Sequence, residues 1–127
     1  MNHIKMIISF LIIISISYGV YAANIVNRPT EVRQPDGTVI NAFVSGNAYH
    51  RRFHDKDGYT MTREHDTDLI CWARQGEDGL LESTGFAVHL YDPKTLGLEP
   101  NVDISQVRYR ELRNWIDSVI QEGKQEF

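Results

Sequence analysis

Hydrophobic and polar residues alternate along the middle of this 127-residue chain. The alternation has the two-residue period of half-buried β-strands. Over residues 49–54, Tyr49, Arg51 and Phe53 fall on one face and His50, Arg52 and His54 on the other. Over 59–62, Tyr59 and Met61 alternate with Thr60 and Thr62. Short runs rich in β-branched and aromatic residues also occupy 32–34, 38–45, 69–74, 80–84 and 86–90. Between the runs stand three Asp-Gly pairs, Asp36-Gly37, Asp57-Gly58 and Asp78-Gly79, at an identical interval of 21 residues. Gly tolerates positive φ and Asp bonds its own backbone, so each pair signals a hairpin turn. Three in register predict a recurring strand-turn-strand unit and a small antiparallel β meander of about 5–7 short strands. Val39, Phe43, Tyr49, Phe53, Tyr59, Met61, Leu69, Trp72, Leu80 and Phe86 are its expected core.

The pattern changes at both ends of this β-rich region, which is expected to span residues 23–92. Residues 24–30 are polar and include Pro29, which reads as an irregular leader. Asp92-Pro93, Gly97 and Pro100 mark 93–104 as a turn-rich connector. Beyond it the period becomes helical: Val107, Leu112, Trp115, Ile116, Val119 and Ile120 form one stripe. Ser105 is the expected cap and Gly123 a plausible stop, so 105–127 is expected to be one C-terminal α-helix, ending near residue 121, and its tail. The stripe has two readings: the helix packs on the sheet, or it presents an apolar face to a partner. The fold class expected is thus mainly β with one helix.

Residues 1–22 have the layout of a secretory signal peptide. Lys5 is the basic start, residues 6–18 are almost unbroken Ile, Leu, Met and Phe, and small residues flank a cleavage site between Ala22 and Ala23. The apolar run is short for a membrane span, so the expectation is an exported protein with no stable span after cleavage. An uncleaved anchor is the alternative. The 105 residues left suffice for one small domain with one core. Cleavage removes Lys5 and no acid, leaving 12 basic residues against 17 acidic ones, a net charge of −5. Nucleic-acid binding needs clustered Lys and Arg, and the only dense basic spot is Arg51-Arg52. Nucleic acid is therefore an unexpected partner.

Cys71 is the only cysteine, so the domain is not stapled internally and must rest on packing. Its setting in an apolar run makes it a buried hydrophobe rather than a nucleophile. His50 and His54 have the spacing of a zinc-protease helix, but the general-base position after the first His holds Arg51. On a strand the two rings would also stand about 13 Å apart, too far to share one ion. Asp55 and Asp57, followed by Gly58, resemble the opening of a calcium loop, yet the twelfth position holds Asp66 where a bidentate Glu is needed. A hairpin turn explains the same residues. His50, His54, Asp55 and Asp57 are weak metal candidates, and no catalytic residue or cofactor site is expected. A degenerate zinc hydrolase using His50 and His54 is the remaining enzyme reading.

Gln34-Pro35-Asp36-Gly37-Thr38-Val39 is followed by Ser45-Gly46-Asn47-Ala48-Tyr49-His50 and by His54-Asp55-Lys56-Asp57-Gly58-Tyr59-Thr60. Trp72-Ala73-Arg74 then precedes Asp78-Gly79-Leu80-Leu81-Glu82-Ser83-Thr84-Gly85. In order and spacing these segments resemble the N-terminal region of secreted bacterial metalloproteases of the immune inhibitor A type. The resemblance covers residues 30–92, about half the chain. Asn47-Ala48 departs from it, since the family usually has two acids there. The family's His-Glu-x-x-His segment is absent from these 127 residues, so no catalytic role is carried over. The resemblance implies a pro-region or accessory domain, whether a stand-alone homologue, a truncated product or a fragment. Its implied partner is a secreted metalloprotease domain, in cis or in trans. The rival expectation is an independent module that holds glycan or protein on exposed Tyr and Trp.

Overall fold

The structure is a computed structural model that describes residues 24–125. The expected signal peptide and the Ala22–Ala23 cleavage site lie outside the described residues. Six strands follow one another: β1 Ile25–Arg33, β2 Val39–Gly46, β3 Arg51–His54, β4 Thr60–Arg63, β5 Ile70–Gln75 and β6 Leu81–Ala87. They form one antiparallel sheet in sequence order, and the helix α1, Gln106–Gln125, follows the last of them. The chain is a mainly β meander with one C-terminal helix.

Each Asp-Gly pair closes a hairpin in the same way. Gln34 N–H donates to Thr38 O and Gly37 N–H to Gln34 O, at 2.8 and 2.9 Å. Asp55 with Tyr59 and Gly58, and Gly76 with Leu80 and Gly79, repeat both bonds. The glycines stand at φ of 91°, 91° and 81°. This is a three-residue loop whose last position needs a left-handed residue. All three loops fall at the same end of the meander, which is why the interval equals one complete down-and-up pair of strands.

β1 corrects the expected leader. Residues 25–30 pair with β2, and Pro29 is tolerated because β1 is an edge strand. A bulge places Val26 and Asn27 opposite Ser45, with Asn27 at φ 49° and its N–H donating to Ser45 Oγ. The last expected strand, 86–90, is also corrected. β6 continues through Gly85 to Ala87, and residues 84–86 bulge opposite Trp72.

The core holds Ala42, Tyr59, Met61, Ile70 and Trp72, with Val32, Ile40, Val88, Leu96 and Leu98 packed against it. Trp72 donates its indole N–H to Tyr91 O at 2.8 Å and meets Tyr59 edge to face. Each large side chain buried here contributes about 1.5–3 kcal/mol. Only Tyr59, Met61 and Trp72 of the expected core are buried. Val39, Phe53, Leu80 and Phe86 are exposed, while Phe43, Tyr49 and Leu69 are half-buried. The reason is which face the connector covers: in β2, Leu96 and Leu98 belong to the cluster of Ile40 and Ala42, leaving Val39 on the open side.

The sheet curls, and Gln34 fastens the curl. Its side-chain amide is buried, donates to Ile70 O at 2.9 Å and accepts Ile70 N–H at 2.8 Å. The first hairpin is thereby joined to the start of β5. The connector then runs along the turn end: Asn101 N–H donates to Gly58 O and Ser105 N–H to Gly79 O, both at 2.8 Å. Ser105 Oγ accepts Arg108 N–H, an N-cap that starts α1. The expected stop at Gly123 is overridden, since the helix continues to Gln125.

Candidate binding surfaces

Of the four weak metal candidates, His50, His54 and Asp55 are committed to other partners, and Asp57 is an exposed turn residue whose N–H donates to Asp55. His50 Nε2 donates to Asp103 Oδ1 at 2.7 Å, tying the β2–β3 loop to the connector. Burial would raise the Asp103 carboxyl, but the His50 bond, the Ile104 N–H and nearby Arg52 together hold it below its ordinary range. His54 is buried, with Nδ1 donating to Asp55 O at 2.7 Å, so Nε2 accepts the Ser45 hydroxyl at 2.8 Å. Asp55 Oδ1 accepts the N–H groups of Asp57 and Tyr59, which makes it a turn brace. Among the described residues no group of three or more His, Cys, Asp or Glu is placed to hold a metal ion.

Ser45 and His54 have the spacing of a nucleophile and its base, a pair that neither residue's sequence setting revealed. The chemistry needs more: an oriented substrate cleft and donors for a developing oxyanion. The cavity described below is not lined by Ser45 or His54. Asn27 N–H is already spent on the Ser45 oxygen. The pair reads as the satisfied polar heart of the β2–β3 hairpin, stacked against Phe43. Cys71 is fully buried in β5, and burial pushes its thiol pKa up.

Among the described residues, two surfaces carry large unspent binding capacity. The first is α1. Its start is fixed on the third hairpin by Arg108 Nε, which donates to Asp78 O at 2.7 Å. Tyr109 OH accepts from Asn47 Nδ2, and Tyr49 OH donates to Asp117 Oδ1 at 2.8 Å. Leu112 and Ile116 are half-buried. The rest of the apolar stripe is uncovered, with Val107 60% and Trp115 64% exposed and Val119 and Ile120 close to half. Among the described residues no helix is long and apolar enough to cross a membrane. The second surface is a cavity of about 580 Å³ beside β3 and β4, bounded by Arg51, Arg52, Arg63 and apolar side chains that include Met61 and Ile70.

No family model, no curated protein and no solved structure matches this chain.

Proposed function

We propose that this chain is an exported, non-catalytic module that folds beside a secreted metalloprotease domain, in cis or in trans, and restrains or assists it. One observation supports a protein partner above all: α1 is held to the β2–β3 loop by polar bonds, yet exposes Trp115, Val119 and Ile120. A contiguous apolar strip on a fixed helix is a surface built for another protein, because water leaves it at a gain of about 25 cal/mol per Å². The choice of a metalloprotease rests on the ordered sequence resemblance over residues 30–92. Purified chain should bind the catalytic domain of an immune inhibitor A-type protease from the same cell and change its rate of peptide cleavage. Trp115→Ala should weaken that binding at least about tenfold, as for a central interface aromatic.

The rival reading, an independent glycan-binding module, has one observation in its favour. Phe86 and Tyr91 meet edge to face at 4.9 Å on the surface, both more than a third exposed. The sheet's own Trp72 and Tyr59 are buried and offer a glycan nothing. Absence of protease binding, together with glycan affinity lost in Tyr91→Ala, would make the rival the better account.

A further inference from the structure

β3 and β4 each run four residues, but their hairpin closes only two rungs, Phe53↔Met61 and His54↔Thr60. Continuing that register would set Arg52 opposite Thr62 and Arg51 opposite Arg63, and neither rung forms. The same residues are paired on their outer sides. Arg51 and Arg52 pair with Gly46 and Ser45 of β2, and Thr62 and Arg63 pair with Cys71 and Ile70 of β5. The sheet is therefore split in its interior, not frayed at an edge. Closing that rung would set two arginines directly opposite one another, and like charges across a strand pair disfavour it.

The split opens on the cavity of about 580 Å³, a size typical of ligand sites. Met61 and Ile70, both buried, supply an apolar floor. Arg51, Arg52, Arg63 and His50 stand at its walls, and no Asp or Glu lines it, although the whole chain carries a net charge of −4. Arg52 is occupied by Gly58 O and Thr60 Oγ1, and Arg63 donates to Asp68 O at 2.8 Å and lies 3.4 Å from the Asp68 carboxylate, both at the exposed end of the side chain, where an incoming carboxylate would compete with Asp68. Arg51 is exposed.

We propose that the split between β3 and β4 takes an extended segment of a second polypeptide carrying Asp or Glu side chains. Strand edges with free N–H and C=O groups are templates for an added strand. Carboxylates on the inserted strand would pair with the Arg51 and Arg63 forks and relieve the repulsion between them. The pairing puts Arg51, Arg63, Met61 and Ile70 on one face of the sheet, so the acidic side chains would lie over Met61 and Ile70 as they reach the two arginines, and strand alternation sends the intervening side chains to the opposite face, beside Arg52 and Thr62. This site is separate from the exposed face of α1 and does not depend on what that helix binds.

The experiment is to pan a displayed library of random heptapeptides on the purified chain and to synthesise the peptides selected. Enrichment of Asp or Glu at alternating positions is expected, with slowed hydrogen exchange at the amides of residues 51–52 and 62–63 in the complex. Arg51→Glu/Arg63→Glu should bind about tenfold more weakly, since two charge-assisted pairs become repulsive. Arg51→Gln/Arg63→Gln, with an unchanged melting temperature, should also bind more weakly, which separates lost charge from lost folding. Trp115→Ala should bind as the unaltered chain does. The proposal is overturned if no peptide is enriched over the charge-reversed variant. It is equally overturned if selected peptides bind all variants alike or protect amides elsewhere.

Discussion

A Cβ built on Gly58 would meet Asn101 Oδ1 at 2.6 Å, and one on Gly79 would meet the Ser105 hydroxyl, whereas one on Gly37 meets nothing within 4 Å. The three turns share one conformation, so their glycines differ only in what lies above them. Gly37→Ala should cost about 1–2 kcal/mol, the strain of a left-handed Cβ. Gly58→Ala and Gly79→Ala should cost more, about 2–3 kcal/mol, because they also displace the connector and, at Gly79, the helix cap. Urea midpoints at constant slope measure this, and equal costs at all three sites would show that the connector does not rest on the turns. Asp103 makes a second residue-scale test. Its folded pKa lies below the ordinary 3.8, so its stabilising contribution is complete above the unfolded value and is lost as pH falls through the folded one. Asp103→Asn should therefore flatten the loss of stability below about pH 4. At neutral pH it should cost about 1 kcal/mol or less, since the side chain is 43% exposed and solvent screens the pair with His50. An acid limb as steep as that of the unaltered chain would assign the sensitivity to other carboxyls.

At the scale of elements, the turns and the helix start were legible because their causes are local. Asp36, Asp57 and Asp78 each precede a glycine that must turn left-handed, and Ser105 caps the helix it precedes by one residue. Ser105→Ala should cost about 1 kcal/mol and speed amide exchange over the first turn of α1, with the sheet amides unaffected. Equal exchange in both chains would leave the start of the helix to the Ser105 N–H bond with Gly79 O. The strand at residues 25–30 was not legible, because Pro29 and the bulge at Asn27 are breakers unless the strand lies at an edge, and edge position is a property of the sheet. The buried face was misread in β2 for the same kind of reason. Val39 and Phe43 are the bulkier set, but Leu96 and Leu98 arrive from over fifty residues away on the side of Ile40 and Ala42. The split between β3 and β4 shows only in the pairing, since the Arg51–Arg63 opposition exists only once the hairpin register is known. Trp115 separates packing from binding. At 64% exposure its replacement by Ala should change stability by no more than about 0.5 kcal/mol, so loss of a partner in that variant would report contact rather than unfolding.

Across the whole molecule, no disulfide is available, and what closes the curled sheet is one buried amide, Gln34, bonded to both backbone groups of Ile70. Next to Ile70 in β5 stands Cys71, paired with Thr62 in β4 and Ala87 in β6 and fully buried. Its thiol is disfavoured as thiolate by burial and by the Glu64 carboxylate, whose oxygen lies 3.7 Å away. Reaction with an aromatic disulfide reagent needs both exposure and ionisation, so the folded chain should react far more slowly than the chain in denaturant. Two routes to exposure make different demands. If β6 detaches as an edge strand, Cys71 becomes reachable while β1 to β5 persist, and the labelling rate should depend only weakly on urea. If the Gln34 clasp, the core around Trp72 and the connector give way together, labelling should rise with urea along the same slope as equilibrium unfolding. The second outcome is expected, because Thr84 Oγ1 donates to Trp72 O and Val88 N–H donates to Ile70 O, binding β6 and the segment after it to the strand that carries the thiol. A shallow urea dependence would show instead that the bulge at Gly85 lets β6 open alone.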